Sequence, residues 1–346
     1  MKQIIISLML LITIVRPAIA KEINILKEFK TIKRIQLEKP MELYAPILVN
    51  KQILTLDRKA HEIVLIDMTG KIVWKYNKKG KGPGEMSDTV SINYKNNILY
   101  VVDHLQGKVM LFDYDNRDKC FTYNDEFQFN EGRISEVMVS ESGKLFFPVL
   151  FGDHRIIETD SAGAVLGRYV PVTKTNLREM SRDDAIKAIR EEVSVLLGDD
   201  SHILRAGVMS MRLQFLHKIG STFTEVKQTK CMMTKTQETY DAEHSKISEG
   251  RQQLKVTTRG ITSSYFDGIN YYIMVMPDTD AIESLIEVYS LRGEFLGFYR
   301  IENEKDIQVG GVRFSDNKTI LYQQWVRNAC KEFETDTTTV YIATLD

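Results

Sequence analysis

Three groups of residues in this chain have the types and spacing that chemistry requires. The run Gly80-Lys81-Gly82-Pro83-Gly84-Glu85 is glycine-rich, as are loops that cradle phosphate. It lacks the Lys-Ser/Thr pair of such loops, Pro83 removes a backbone donor, and Glu85 repels an anion. The run therefore reads as a tight structural turn between two strands. Asp57, Asp103 and Asp280 each stand ten residues before Asp67, Asp113 and Ser290, at one recurring point of the chain. A carboxylate repeated at strand ends suits calcium. It also suits a side chain capping the turn after its own strand, and positions repeated around a ring cannot all reach one ion, which favours the cap. His61 and His154 occupy equivalent places, and His104 lies three positions earlier in its own repeat. Zinc needs convergent imidazoles, and turns at mid-radius keep these three apart. The chain holds no G-x-S-x-G elbow and no HExxH motif. No catalytic residue and no resident cofactor are assigned on this basis, and calcium or zinc enters only with the alternative function given below.

The elements that must position these residues follow from an internal repeat. Ile53 to Asp67, Leu99 to Asp113 and Phe146 to Asp160 align without a gap, and their final aspartates are 46 and 47 residues apart. Two apolar strand-like runs around a polar turn, at that period, make one four-stranded propeller blade per repeat. Turns at Thr69-Gly70, Ala162-Gly163 and Arg292-Gly293 precede further strands, where glycine supplies the positive φ of a hairpin. Extended along the chain, the pattern predicts an all-β fold, a six-bladed β-propeller over residues 21–346. Blade four is drawn from Ser210–Lys218, Thr222–Val226 and Lys230–Thr234, blade five from Ile269–Met276 and Ser284–Tyr289, and blade six from Gly311–Phe314, Thr319–Trp325 and Thr338–Thr344. Blade six lacks an outer strand, and Phe29–Leu37 is expected to supply it by pairing with the C-terminal strand, which removes an exposed edge. One segment departs from the β pattern. Ser181-Arg182-Asp183-Asp184 resembles a helix cap, and Ile186, Ile189, Val193 and Leu196 or Leu197 recur at helical spacing up to Gly198. A short helical insertion at about 176–198, between blades three and four, is predicted, packed on the rim or over the central opening.

Met1 to Ala20 has a Lys2 n-region, an apolar run from Ile4 to Val15 and a small-residue end, the layout of a cleaved export signal. Without Lys2 and Arg16, 44 basic side chains face 47 acidic ones, a balance that points away from nucleic acid. Cys120, Cys231 and Cys330 lie far apart without metal-ligand spacing and are expected to be ordinary core or strand residues.

The Gly80–Glu85 run, following one apolar strand and preceding another, resembles the GxGPGE signature of the secreted six-bladed β-propeller proteins common in Bacteroidetes. Leu99-Tyr100-Val101-Val102-Asp103 to Phe112-Asp113 resembles an NHL repeat, a related blade type. The resemblance covers residues 53 to 115 best and implies an exported scaffold without a general enzymatic assignment.

Second-to-third strand turns and blade-linking turns share one face of such a ring. Arg58, His61, Lys79, Lys81, His104, His154, Arg155, Trp325 and Arg327 all fall in those turns, and their mix suits a polar or anionic ligand. The expected function is an exported, monomeric, non-enzymatic binding or scaffold propeller, periplasmic or extracellular, that recognises a glycan, peptide or protein. The alternative is a metal-dependent hydrolase or lyase using the central opening.

Overall fold

Runs such as Gln52–Asp57 (QILTLD) and Ile98–Asp103 (ILYVVD) are buried almost throughout, so both of their faces pack against protein. Strands covered on both sides read as continuous apolar runs, whereas a strand with one wet face alternates. The outermost strands alternate accordingly, as in Ile72–Tyr76 (IVWKY). The computed structural model describes residues 25–41, 43–87, 89–172, 193–208, 210–232, 261–275, 284–301, 307–315, 318–326 and 338–345.

Strand β1 (Ile25–Gln36) belongs to the last blade. Blade one is β2 (Leu43–Val49), β3 (Gln52–Asp57), β4 (Glu62–Ile66) and β5 (Ile72–Tyr76). Blade two is β6 (Thr89–Lys95), β7 (Ile98–Asp103), β8 (Lys108–Asp115) and β9 (Cys120–Gln128). In blade three the inner strand is split into β10 (Arg133–Ile134) and β11 (Met138–Val139), followed by β12 (Leu145–Leu150), β13 (His154–Thr159) and β14 (Val165–Pro171). Blade four is β15 (Ser194–Gly198), β16 (His202–Gly207), β17 (Arg212–Ile219) and β18 (Thr222–Lys230). Blade five is β19 (Ile261–Phe266), β20 (Asn270–Val275), β21 (Ser284–Ser290) and β22 (Phe295–Ile301). Blade six is β23 (Ile307–Phe314), β24 (Thr319–Val326) and β25 (Thr339–Leu345), completed by β1.

The inner strands β2, β6, β11, β15, β19 and β23 touch their neighbours around a closed ring. Between each pair of adjacent blades lies an apolar cluster. Leu54, Leu56 and Leu65 of blade one meet Leu99, Met110 and Phe112 of blade two, and Ile53, Val64 and Ile66 on the other side of blade one meet Leu321, Val340 and Ile342 of blade six. Closure uses the expected N-terminal strand: β1 runs antiparallel to β25, from Phe29 opposite Leu345 to Gln36 opposite Thr339. Its first residues also pair in parallel with β22, from Ile25 opposite Phe298 to Phe29 opposite Ile301, which seams blades five and six along the rim.

The third-to-fourth strand turns of blades one, three and five share one design. Asp67 Oδ1 accepts the Thr69 and Lys71 N–H groups, Asp160 Oδ1 those of Ala162 and Ala164, and Ser290 Oγ that of Glu294. Two expectations need correction. The helical insertion was to end at Gly198, yet Ser194–Gly198 is the inner strand of blade four, paired with Ile203–Gly207, and among the described residues there is no α-helix. Leu196 is buried because it faces blade three across a β interface, and its helical spacing from earlier apolar residues is incidental. The rest of that prediction, including Ser181, Ile186 and Ile189, lies outside the described residues. Blade four also starts earlier than expected. Ser210–Lys218 and Thr222–Val226 fall on its third and fourth strands, and Lys230 ends the fourth rather than opening another.

Candidate functional site

The glycine run links β5 to β6 and is hydrogen-bonded within itself, to Tyr76 of blade one and to Gln106, Lys108 and Glu126 of blade two. Within the run, Gly82 N–H donates to Glu85 Oε2 at 2.9 Å and Glu85 N–H to the Gly82 carbonyl at 3.0 Å. Gly84 N–H donates to Glu126 Oε2 on β9 at 2.9 Å, and the Tyr76 hydroxyl donates to the Gly84 carbonyl. Gln106 Nε2 reaches the Gly80 carbonyl at 2.9 Å. Beneath the run, Lys108 is only 2 % exposed, and its Nζ donates to the Gly82 carbonyl at 3.0 Å and to Glu126 Oε2 at 2.9 Å. The Gly82 and Gly84 N–H groups, which a phosphate would need, are thus spent on two carboxylates. Gly84 has φ +69, and a Cβ there would lie 3.0 Å from the Tyr76 hydroxyl oxygen. A side chain is disfavoured on both counts.

The recurring aspartates behave as turn caps. Asp57 Oδ1 accepts the Lys59 and Ala60 N–H groups. Asp103 Oδ1 accepts Gln106 N–H, and its Oδ2 takes Ser87 N–H at 2.7 Å and Gln106 Nε2 at 2.9 Å. Burial alone would raise the Asp103 carboxyl, but these hydrogen bonds outweigh it and hold the group below its ordinary value. Asp280 lies outside the described residues.

The structure spreads the sequence-predicted site residues over several blades. Arg58, His61, Lys79 and Lys81 are exposed in turns of blade one and its link to blade two. His104 is half-buried, with Nδ1 2.8 Å from the Ile134 carbonyl oxygen. His154 and Arg155 open β13 and are half-buried, beside the Glu131–Arg168 ion pair that joins at 2.7 Å. Trp325 lies in β24, paired with Gln308, and Arg327 is outside the described residues. Among the described residues no three His, Cys, Asp or Glu side chains come together as a metal-ligating group. Cys120 is half-buried at the start of β9, and Cys231 is buried between blades four and five.

What the sequence did not reveal is a polar constellation among the inner strands of blades one, three and six. Pro148 in β12 offers no N–H, and the inner strand of blade three breaks across it, leaving Ser135, Glu136 and Val137 between β10 and β11. Such irregularities re-aim side chains. Glu136 Oε1 accepts the Leu196 N–H of the next inner strand at 2.8 Å. The carboxyl is ringed by protein while the residue stays partly accessible. Burial raises it to about 7, against the Leu196 hydrogen bond and the charge of Arg313 from blade six, both of which lower it. Arg313 follows a bulge in β23 and stands 6.0 Å from the ring centre of Tyr44, on the inner strand of blade one. The Arg58 guanidinium lies over the same ring at 3.7 Å. Blades one and six thus bring two guanidinium groups to one tyrosine ring, and the charge of Arg313 also acts on the Glu136 carboxyl of blade three. Pro148 inside an apolar run was the one local clue.

Known proteins fit this architecture. No curated protein matches the chain in sequence. In fold it is similar to the PQQ-bound aldose sugar dehydrogenase of Streptomyces coelicolor, at 7% identity over 92% of this chain and 98% of that one, TM-score 0.53. It is also similar to the calcium-binding protein regucalcin of Agrobacterium tumefaciens, at 10% identity over 92% and 95%, TM-score 0.50. The luciferin-regenerating enzyme matches at 10% identity over 90% and 95%, TM-score 0.50. At these identities the likeness concerns the fold alone. The model of a family described as 6-bladed beta-propeller matches residues 31–281, most of the sequence, and the chain belongs to that family.

Proposed function

We propose that the protein is an exported, monomeric, non-enzymatic propeller that binds a polar or anionic ligand, a glycan, peptide or protein, on the face that carries the blade-linking turns. The observation that carries this reading is the Arg58–Tyr44–Arg313 arrangement, which joins blades one and six, with Lys79 and Lys81 exposed in the link from blade one to blade two. Guanidinium groups held against an aromatic ring keep a fixed direction and present their donors to carboxylate or sulfate at little entropic cost. The leader-like residues 1–20 support export to the periplasm or beyond. The GxGPGE run and the NHL-like blade two support a place among the exported propellers common in Bacteroidetes. A test screens the protein without its leader on arrays of neutral and acidic glycans and peptides. Arg58→Glu with Lys81→Glu should abolish the acidic hits and leave the melting temperature within about a degree, because both side chains are exposed. Hits that survive the double variant would refute the placement.

A second reading, acid–base chemistry in the opening, is favoured by Glu136, whose carboxyl near neutrality suits proton transfer. Its test is turnover of any array ligand, lost in Glu136→Gln while binding persists.

A further inference from the structure

Blades one and two carry the same ion pair with the signs exchanged. Glu62 and Lys108 each open a third strand, opposite Asp57 and Asp103 respectively. Lys75 and Glu126 hold the matching place on the fourth strands, opposite Val64 and Met110. The pairs are Glu62–Lys75 at 3.6 Å and Lys108–Glu126 at 2.9 Å. In blade two the chain covers its pair with the Gly80–Glu85 turn, giving a carbonyl to the lysine and an N–H to the glutamate. In blade one no turn covers the pair among the described residues; Asn77 Nδ2 donates to Glu62 Oε1 at 2.9 Å. The link from β1 to β2 is short, and Met41, which holds the place of Ser87, donates its N–H to Thr338 Oγ1 and not to Asp57. What remains is a groove of about 510 Å³ lined by Glu38, Lys39, Asp57, Glu62, Trp74 and Lys75 among others. Asp57 is 7 % exposed, and among the described residues no donor reaches its Oδ2, the oxygen that in Asp103 takes three hydrogen bonds.

We propose that this groove docks a turn of a partner polypeptide bearing lysine or arginine, held as blade two holds its own turn but with opposite polarity. The occupant is a polypeptide because the same cleft one blade on is filled by one. It is basic because three carboxylates (Glu38, Asp57, Glu62) face two lysines, and Asp57 offers an acceptor to an N–H donor. The partner's cation and main-chain N–H groups meet Asp57 and Glu62, and a partner carbonyl meets Lys75. This site uses none of the Arg58, Tyr44 and Arg313 side chains.

The chain has two tryptophans, so Trp325→Phe leaves Trp74 as the reporter inside the groove. The probe is an end-capped octapeptide, GSGKGKGS, beside a control in which both lysines are glutamate. The lysine peptide should change Trp74 emission saturably, more weakly as salt rises, and at least tenfold more weakly in Glu62→Lys and in Asp57→Asn, which keeps a capping oxygen. The Arg58→Glu, Lys81→Glu variant, which adds negative charge beside the groove and removes none of its lining residues, should bind the lysine peptide at least as tightly as the parent, which separates this site from the Arg58–Tyr44–Arg313 one. No saturable change with the lysine peptide, an equal response to the glutamate peptide, or a response undiminished in both groove variants would overturn the proposal.

Discussion

Blade one and blade two have nearly superimposable plans, and they differ in what lies over the start of the third strand. In blade two the ion pair is covered: Lys108 is 2 % exposed, its Nζ donates to the Gly82 carbonyl and Gly84 N–H donates to Glu126. In blade one the pair is open, with side-chain exposures of 20 % for Glu62 and 57 % for Lys75. The comparison teaches that an ion pair takes its importance from its surroundings. Water screens the open pair, while the covered one is bound into a network that loses more than a single contact when one member goes.

The sharpest way to break this comparison is to exchange signs in blade two. Lys108→Glu with Glu126→Lys keeps an ion pair but sets a carboxylate against the Gly82 carbonyl and an ammonium against Gly84 N–H. A loss of about 3–5 kcal/mol, read from denaturant unfolding, is expected from the buried mismatch. Next comes Gly84→Val, which should cost about 1–3 kcal/mol because of the left-handed φ and the Tyr76 contact. Gly82→Ala should cost less, since its φ is ordinary and a Cβ would lie 3.2 Å from the movable Glu85 carboxylate. Acid titration separates Asp103 from Glu136. The Asp103 carboxyl is held low, so its stabilisation is present above the unfolded value near 3.8 and is lost as pH falls through the folded one; Asp103→Asn should flatten that acid limb. Glu136 has the opposite sign. Raised from 4.5 to about 7, it stabilises the fold below 4.5 and loses that contribution as pH climbs to 7, by about 1.4 kcal/mol per pH unit at most, so Glu136→Gln should flatten the neutral limb instead. The smallest effect is expected from Glu62→Lys with Lys75→Glu in blade one, under about 1 kcal/mol by thermal melting.

The second and third strands of blades one to three were legible because burial on both faces leaves unbroken apolar runs, such as Ile63-Val64-Leu65-Ile66, ending on a polar cap at Asp67. The inner strand of blade four was not. The short apolar run Val193-Ser194-Val195-Leu196-Leu197 suits one face of a helix or a strand covered on both sides, and the partners that decide between them, Ile203 to Gly207, come later in the chain. The capping role of Asp57 and Asp103 was readable because it depends on residues two or three positions away, or on a turn nearby. The inner-strand constellation was hidden because Tyr44, Glu136 and Arg313 approach one another only through closure of the ring. Lys108 looked like any lysine after a turn. Its burial depends on a turn laid over it by the preceding blade.

Closure by β1 also sets a clock. Phe29 cannot meet Leu345 until β25 has been made and delivered, so a strand made before blade one is among the last to find its place. Blades one to five can stack meanwhile as an open arc, but Ile53, Val64 and Ile66 have no cover until Leu321, Val340 and Ile342 arrive. Contacts so distant in sequence form slowly, and an apolar flank left bare for that interval is where chains adhere to one another. The yield of folded protein should therefore depend on how quickly the final blade follows the first, and on whatever shelters that flank while it waits.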